Sequence, residues 1–597
     1  MRFKRAVIVL LLSSGCLIAA DHPNVILISL DQLQADQLHV YGNPRQTSPN
    51  LDRVAREGVR FARFYSASPW TAPSYSSMMT SQYPSRHGVT IFFPKGMEAQ
   101  KPGAIMLAEW FKRAGYATAA FVNNSVAGKD ITGRGFDEYD EGQLRPTNIT
   151  ERPGLQNPEY QAPAATARIL KWLNAHQSGE KPFFLFLLYF EPHSPYNPPP
   201  KHDLFKTAAY PNVNYTGWDL KNGRLSRWAN IGDQKAIERI TELYDGKIHF
   251  VDEYVGKVFE QLRTSGLEKN TIVILTSDHG ELLFSHPEDY MTADHRSLYD
   301  QVMHVPGLLW GDGIPRGKTI DALATHIDIA PTLLELAGLP PKPDAQGKSL
   351  VPLIEGKAKR AHEYLFGEQD IVEPLRSVRD VRYKLILNER TGKKQLFDDA
   401  SDPGEHHDIA AAQPAVIARL SAVLADWRKQ NEPPAAEREA KWRALVAKSS
   451  PGGGLAGSVL IVDEVTIGSR LQLTGSGWKM ADDPSDYLGG VYWTGAARPG
   501  DPARTATWRS DNPMLGRYRI SLWYGRIPEG EVATNVPFVV KTRTGTKSFT
   551  IDQTKNTGAW HALGEFNDPL NVELSNHANG RVVVDAVKFE RLGNAKH

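Results

Sequence analysis

The first stretch with folded character is NVILISL, Asn24 to Leu30, almost entirely apolar and of strand length. FFLFLLY (Phe183 to Tyr189) and TIVILTS (Thr271 to Ser277) repeat the pattern. Runs of this kind predict strands buried on both faces, as in a largely parallel sheet covered by helices. Between them the period changes. In LYDGKIHFVDEYVGKVFEQLRTSG, the apolar residues Ile248, Val251, Val255, Val258, Phe259 and Leu262 recur at three- and four-residue spacing, which predicts an amphipathic helix. Asp245, Asp252 and Glu253 are expected on its solvated face. HIDIAPTLLELAGLP reads as a capped helix, with Asp328 ahead of Pro331 and with Gly338 and Pro340 as the stop. Strands alternating with helices make this part an α/β layered fold.

From Arg376 the texture differs. RSVRDVRYKLIL followed by KKQLFDDASDPGEHHD predicts a short antiparallel hairpin and a turn, then a last helix to about Trp427. NEPPAAEREAKWRALVAKSSPGGGLAG, rich in Pro, Ala, charge and finally Gly, reads as a linker. Beyond it YRISLWY, PFVVKTR, KSFTID, NVELS and RVVVDAVKFE are short strands separated by turn residues, the signature of a β-sandwich.

The whole chain has 597 residues, too many for one core, so at least two domains are expected. A net charge of +1 gives no electrostatic argument for a nucleic-acid partner or an anionic membrane surface. The one cysteine, Cys16, excludes an intramolecular disulfide and a cysteine-based metal cluster. It lies in the N-terminal segment, where Arg2, Lys4 and Arg5 precede the apolar run AVIVLLLSSGCLIAA. That run is short for a membrane span and ends in small residues, so it reads as an export signal of about 20 residues. LSSGC also has partial lipoprotein-box character, with Ser13 where an aliphatic residue is usual.

Chemistry concentrates where strands end. Asp31 and Gln32 follow the first buried strand, and Asp278 and His279 follow another. In open α/β sheets ligands collect at the carboxyl ends of strands, and two such ends with hard donors can hold one divalent cation. A lone Asp there is otherwise a helix cap. Thr71 in SPWTAPSYSSMMTSQYPSRHG precedes Pro73, a residue suited to a first helical turn. Its hydroxyl would sit at a helix start, where free N–H groups favour an anion. The plain alternative is an N-cap threonine.

LISLDQLQADQLHVYG, the Thr71 segment, LYFEPHSPYNPP, LYDGKIHFVD, VILTSDHGE, HRSLYDQVMHVPGLLWG and HIDIAPTLLELAG resemble, in order, the sulfatases of the alkaline phosphatase superfamily. The resemblance spans about Pro23 to Trp427. It implies a central mixed, mostly parallel sheet between helices with a small antiparallel C-terminal subdomain. Asp31, Gln32, Asp278 and His279 match the family's metal ligands, with Gln32 where a second aspartate is common. Calcium is the ion the family implies; manganese, magnesium and zinc are alternatives. His193 matches a histidine that contacts the oxyanion or the leaving group, and His295 falls near a position that is His or Lys in relatives. The departures are at Thr71, where the family has a Cys or Ser that is oxidised to formylglycine, and at Tyr75, where it has Arg. The family's GKWHLG-like segment is also absent, which points to Asn123 or Asn124 facing the site, and Tyr75 is expected at the substrate. No formylglycine is expected, and Thr71 would act unmodified, as a further metal ligand and metal-bound nucleophile, on a sulfate or phosphate ester. Phosphodiester cleavage, phosphoryl transfer to a glycan or lipid head group, and an inactive glycan-binding protein are the competing readings.

The C-terminal strands resemble the golvesin or xanthan-lyase C-terminal module, a β-sandwich, over about Val459 to Leu592. Trp478, Tyr492, Trp493, Trp508, Trp523, Tyr524 and Trp560 could stack on a sugar or, equally in keeping with strand residues, pack the core. The expected organisation is a signal at 1–20, an α/β domain at 23–370, its subdomain at 371–430, a linker at 431–457 and a separate all-β sandwich at 458–593.

Overall fold

The computed structural model describes residues 22–592, apart from 91–103, 143–160, 178–180, 207–233, most of 284–296 and of 434–458, 463–468, 475–477, 482–490 and a few short loop stretches. The expected export signal, Cys16 and most of the linker lie outside the described residues. Eight strands form one sheet: β1 (Asn24–Leu30), β2 (Val59–Phe61), β3 (Ala117–Val122), β4 (Glu138–Asp140), β5 (Phe183–Tyr189), β6 (Thr271–Thr276), β7 (Gly307–Gly311) and β8 (Lys318–Ile320). Their order is β4-β3-β5-β1-β6-β7-β2-β8. All neighbours are parallel except β7, which runs against both β6 and β2.

The apolar runs became central strands because both faces of β1 are covered. Ile26, Ile28 and Leu30 face a layer containing helices α1 (Pro49–Glu57), α4 (Gln161–Ala175) and α5 (Gln234–Thr264). Val25 and Leu27 face α2 (Thr71–Thr80), α3 (Leu107–Arg113) and α6 (Ile329–Leu336). Each fully buried Val, Ile or Leu of β1 contributes about 1.5–3 kcal/mol of transfer free energy. The register places Leu30 beside Tyr189 and Ser29 beside Thr276. Three loops, starting at Asp31, Phe190 and Ser277, therefore leave the sheet at one level.

The long helix α5 bears the expected apolar stripe, with all six predicted positions fully buried. Its acidic residues correct the sequence reading, because Asp245 and Asp252 are buried. Asp245 accepts a 2.9 Å bond from Arg45, and Asp252 accepts from the Asn50 and Leu51 backbone N–H groups at the start of α1. Burial raises both carboxyls, to about 7 and about 6. Only Glu253 keeps partial exposure, between Lys201 and Lys257. Asp328 also differs from a simple cap. Its carboxylate takes the Thr325 and Lys348 N–H groups and the His362 ring, so it ties three segments together ahead of α6.

The smaller unit is a four-stranded antiparallel meander, β9 (Leu365–Gln369), β10 (Leu375–Arg379), β11 (Tyr383–Asn388) and β12 (Lys394–Asp398), backed by α7 (Pro414–Asn431). Arg379 and Lys384 from this unit hold Asp300, and Lys384 also holds Glu405. Asp300, Asp399 and Glu405 thus form an ion-pair network rather than a vacant ligand set.

Antiparallel sheets of four, five and three strands follow from Val459 to Arg591, consistent with a separate β domain. Trp478, Trp508 and Tyr524 are buried among its apolar residues, Trp493 is buried with Lys479 and Arg581 over its ring, and the Trp508 indole donates to the Asp585 carbonyl. Core packing accounts for Trp478, Trp508 and Tyr524. The Tyr492 side chain lies outside the described residues. Trp523 and Trp560 are partly exposed, with ring centroids 5.4 Å apart.

Candidate active site

The loop after β1 carries Asp31 and then Gln32, whose backbone sits in the left-handed region at φ 61°. A non-glycine residue there costs on the order of 1–3 kcal/mol and persists only when its surroundings hold it. Here the Gln32 N–H donates to Asp278 Oδ1 at 3.1 Å, and the Tyr244 hydroxyl donates to the Gln32 carbonyl. The Leu33 N–H donates to Ser277 Oγ at 2.8 Å. The β1 and β6 loops are therefore stitched directly to each other.

Asp31, Asp278 and His279 converge, their ligand atoms lying within 4.8 Å of one another, and all three are fully buried. Asp31 Oδ1, Gln32 Oε1 and Asp278 Oδ2 are buried without a hydrogen-bond partner. Unpaired buried oxygens are costly, and those of Asp31 and Asp278, with Gln32 next in the chain, offer a donor set for a cation. Burial, with the Asp278 charge beside it, pushes the Asp31 carboxyl well above the usual carboxylate range; a bound cation reverses that logic. The His279 Nδ1–H donates to the Gly280 carbonyl at 2.9 Å, which leaves the Nε2 lone pair facing the site. That nitrogen lies 3.4 Å from both Asp278 Oδ2 and Thr71 Oγ1. The residues present fit a divalent cation.

Thr71 is the first residue of α2 and is 7% exposed. Its helix is fixed by hydroxyls that the sequence reading did not single out. Ser74 Oγ and Ser66 Oγ both donate to the Asp278 carbonyl at 2.7 Å, and Ser74 also meets His326 Nδ1 at 3.0 Å. The signal for Ser74 was its place one turn beyond Thr71. His326 lies in a motif that read only as a helix start.

The other expected residues divide. Asn124 donates to Asp31 Oδ2, and its own Oδ1 accepts from the Val126 N–H, so it buttresses a ligand. Asn123 turns to Arg168 instead. The His295 ring stacks on His279 with centroids 4.3 Å apart, and its Nδ1 bonds the Pro69 carbonyl at 2.7 Å. His193 stacks on Phe190 and bonds the Ser194 carbonyl through Nδ1; burial lowers it to about 4, with His279 and Asp278 close enough to be felt. Tyr75 does not meet its expectation as a substrate contact. Its ring is fully buried against Phe186 and its hydroxyl is spent on Ser29 Oγ at 2.9 Å, which makes it a packing residue under the site. Lys247, missed from sequence, is buried on α5 near Glu191 and His193.

A mostly parallel α/β sheet with a cation-ready acidic cluster and a buried hydroxyl at one strand edge defines an ester hydrolase of the alkaline-phosphatase-like fold. The sulfatase family profile matches residues 23–339, and the chain belongs to the sulfatase family, whose members are sulfuric ester hydrolases. The profile of the N-sulphoglucosamine sulphohydrolase C-terminal region matches 289–430, and that of the golvesin C-terminal domain matches 460–591. A sulfatase of Formosa agariphila is 30% identical over 439 residues, covering 64% of this chain and 82% of that protein. An N-acetylgalactosamine-6-sulfatase of Rattus norvegicus is 27% identical over 395 residues, covering 58% and 67%. The crystal structure of the phosphonate monoester hydrolase of Agrobacterium radiobacter aligns with TM-score 0.57 at 21% identity, covering 68% of this chain and 96% of that one. Among the described residues no helix is long and apolar enough to cross a membrane.

Proposed function

We propose that the chain is an exported, metal-dependent hydrolase in which the unmodified Thr71 hydroxyl attacks a sulfate or phosphate ester carried by a sugar. One observation carries this reading: ligand atoms of Asp31, Asp278 and His279 converge within 4.8 Å beside Thr71, and Asp31 Oδ1, Asp278 Oδ2 and the neighbouring Gln32 Oε1 are buried and unpartnered. Asp31, Gln32, Asp278 and His279 would hold one divalent cation. Calcium suits the oxygen donors; the imidazole also admits manganese or zinc, and magnesium is the remaining alternative. When bound, the ion supplies charge neutralisation for the ester oxygens and a lower pKa for a neighbouring hydroxyl.

Thr71 Oγ forms a bond to sulfur or phosphorus as the bond to the leaving oxygen breaks. Protonated His193 or His295 gives its proton to that oxygen, and the Thr71 hydroxyl proton is released to solvent, from which the histidine is reprotonated, so that the alcohol's gain is balanced. Water then attacks the threonine ester, releasing sulfate or phosphate and restoring the hydroxyl. Tyr75 supports the unmodified state: its hydroxyl is committed to Ser29, so this helix position offers no cation to steady an aldehyde hydrate. The similarity to the N-acetylgalactosamine-6-sulfatase of Rattus norvegicus supports a carbohydrate ester, and the N-terminal charge and apolar pattern supports export.

The test is a panel of nitrophenyl sulfate, phosphate monoester, phosphodiester and phosphonate ester, each with Ca, Mg, Mn or Zn. Metal-dependent turnover of at least one ester, lost in Thr71→Ala, is the expected result. Turnover unchanged in Thr71→Ala sinks the nucleophile; no turnover despite bound metal favours a glycan-binding protein.

A further inference from the structure

Two buried tyrosines stand behind the candidate cation site, one hydrogen-bonded to each ligand loop. The Tyr244 hydroxyl, on α5, donates to the Gln32 carbonyl and accepts the Gln34 N–H at 3.1 Å. It therefore holds the peptide that leaves the left-handed residue, bonding the chain at the Gln32 carbonyl and again at the Gln34 N–H. Tyr196 packs edge-on against it, with ring centroids 5.2 Å apart, and donates to Glu281 Oε2 at 3.1 Å in the loop that carries Asp278. Both tyrosines are fully buried.

We propose that Tyr244 is a positioning residue for the cation, holding Gln32 in its strained conformation so that Oε1 joins Asp31 and Asp278, with Tyr196 bracing the opposite loop. This rests on the reading that the site holds a divalent cation. The physical argument is that a non-glycine residue at φ 61° relaxes unless its peptide is held. Relaxation of that peptide swings the Gln32 amide out of the donor set while leaving the fold intact. Groups that orient metal ligands set affinity from outside the ligand shell.

The experiment titrates the full chain, stripped of metal, with Mn²⁺ followed by electron paramagnetic resonance and with Ca²⁺ followed by thermal shift. Tyr244→Phe keeps the ring and removes only the hydroxyl, and is expected to weaken apparent affinity on the order of 10–100-fold. Tyr189→Phe is the control: its hydroxyl, equally buried, bonds Thr166 on α4 at 2.9 Å, its backbone bond to Asp31 is kept in the variant, and wild-type affinity is expected. Tyr196→Phe is expected to give a smaller weakening, and it reads the same geometry should Tyr244→Phe fail to fold. Wild-type affinity in Tyr244→Phe overturns the proposal, as does an equal loss in Tyr189→Phe; so does wild-type affinity in Tyr196→Phe where Tyr244→Phe does not fold. Wild-type protein that takes up neither ion overturns the cation reading itself, and this proposal with it.

Discussion

A threonine hydroxyl is a poor nucleophile at neutral pH, so Thr71 depends on its surroundings for activation. At its distance of 3.4 Å from His279 Nε2, and at the first turn of α2, it stands between a donor set for a cation and a helix start that favours an anion. The leaving group needs a proton, and His193 and His295 are the candidates. Burial keeps His193 neutral down to about pH 4, so it becomes a proton donor only when an anionic ester beside it raises that value. His193→Gln is expected to lower kcat on alkyl esters by roughly 10²–10⁴-fold, and far less on nitrophenyl esters, whose leaving group needs no acid. Equal losses on both ester types, measured by steady-state kinetics, would assign His193 to binding instead. Asp31, Asp278 and Thr71 were legible in the sequence because each directly ends a buried run or begins a helix. Tyr75 was misread because a tyrosine in a polar-looking helix gives no sign of which way it points. The Ser29 partner that fixes it is distant in sequence.

At the scale of elements, α2 and the loop after β6 behave as one piece. Ser66 and Ser74 share the Asp278 carbonyl, and His326 closes the arrangement from the turn before α6. His326 is fully buried, and burial lowers it to about 3. Its unfolded value is near 6.5, so the unfolded chain takes up a proton first as pH falls; the stability His326 gives is complete above about 6.5 and is lost progressively below it. His326→Gln is expected to flatten the fall of Tm between pH 7 and pH 4 relative to wild type, measured by calorimetry; parallel curves would contradict the assignment. β1, β5 and β6 were readable because parallel strands covered on both faces leave unbroken apolar runs. Asp245 and Asp252 were not, because acidic residues on a helix are usually solvated. The groups that bury them, Arg45 and the start of α1, reach them only through the fold. Tyr244 escaped notice for the same reason.

For the whole molecule, the candidate site draws, among the described residues, on those before the linker. The ion pairs that anchor the meander reach as far as Glu432, which holds the buried Arg376. A chain truncated after residue 437 is therefore expected to keep turnover of nitrophenyl esters within about 2-fold. Large loss of activity in a truncated chain of unchanged Tm would show that the β domain completes the site. The division into an α/β part and an all-β part was visible because the hydrophobic period changes from helical to alternating; the role of the β domain was not, because four of its aromatic residues are buried. The central claim is chemical and falls on one side chain. Rapid acid quench of the metal-loaded enzyme during turnover, followed by peptide mass spectrometry, should find the Thr71 peptide about 80 Da heavier while substrate lasts and unmodified after it is consumed. A Thr71 peptide that stays unmodified throughout turnover, or one that has lost about 2 Da before substrate is added, would contradict the unmodified-threonine nucleophile.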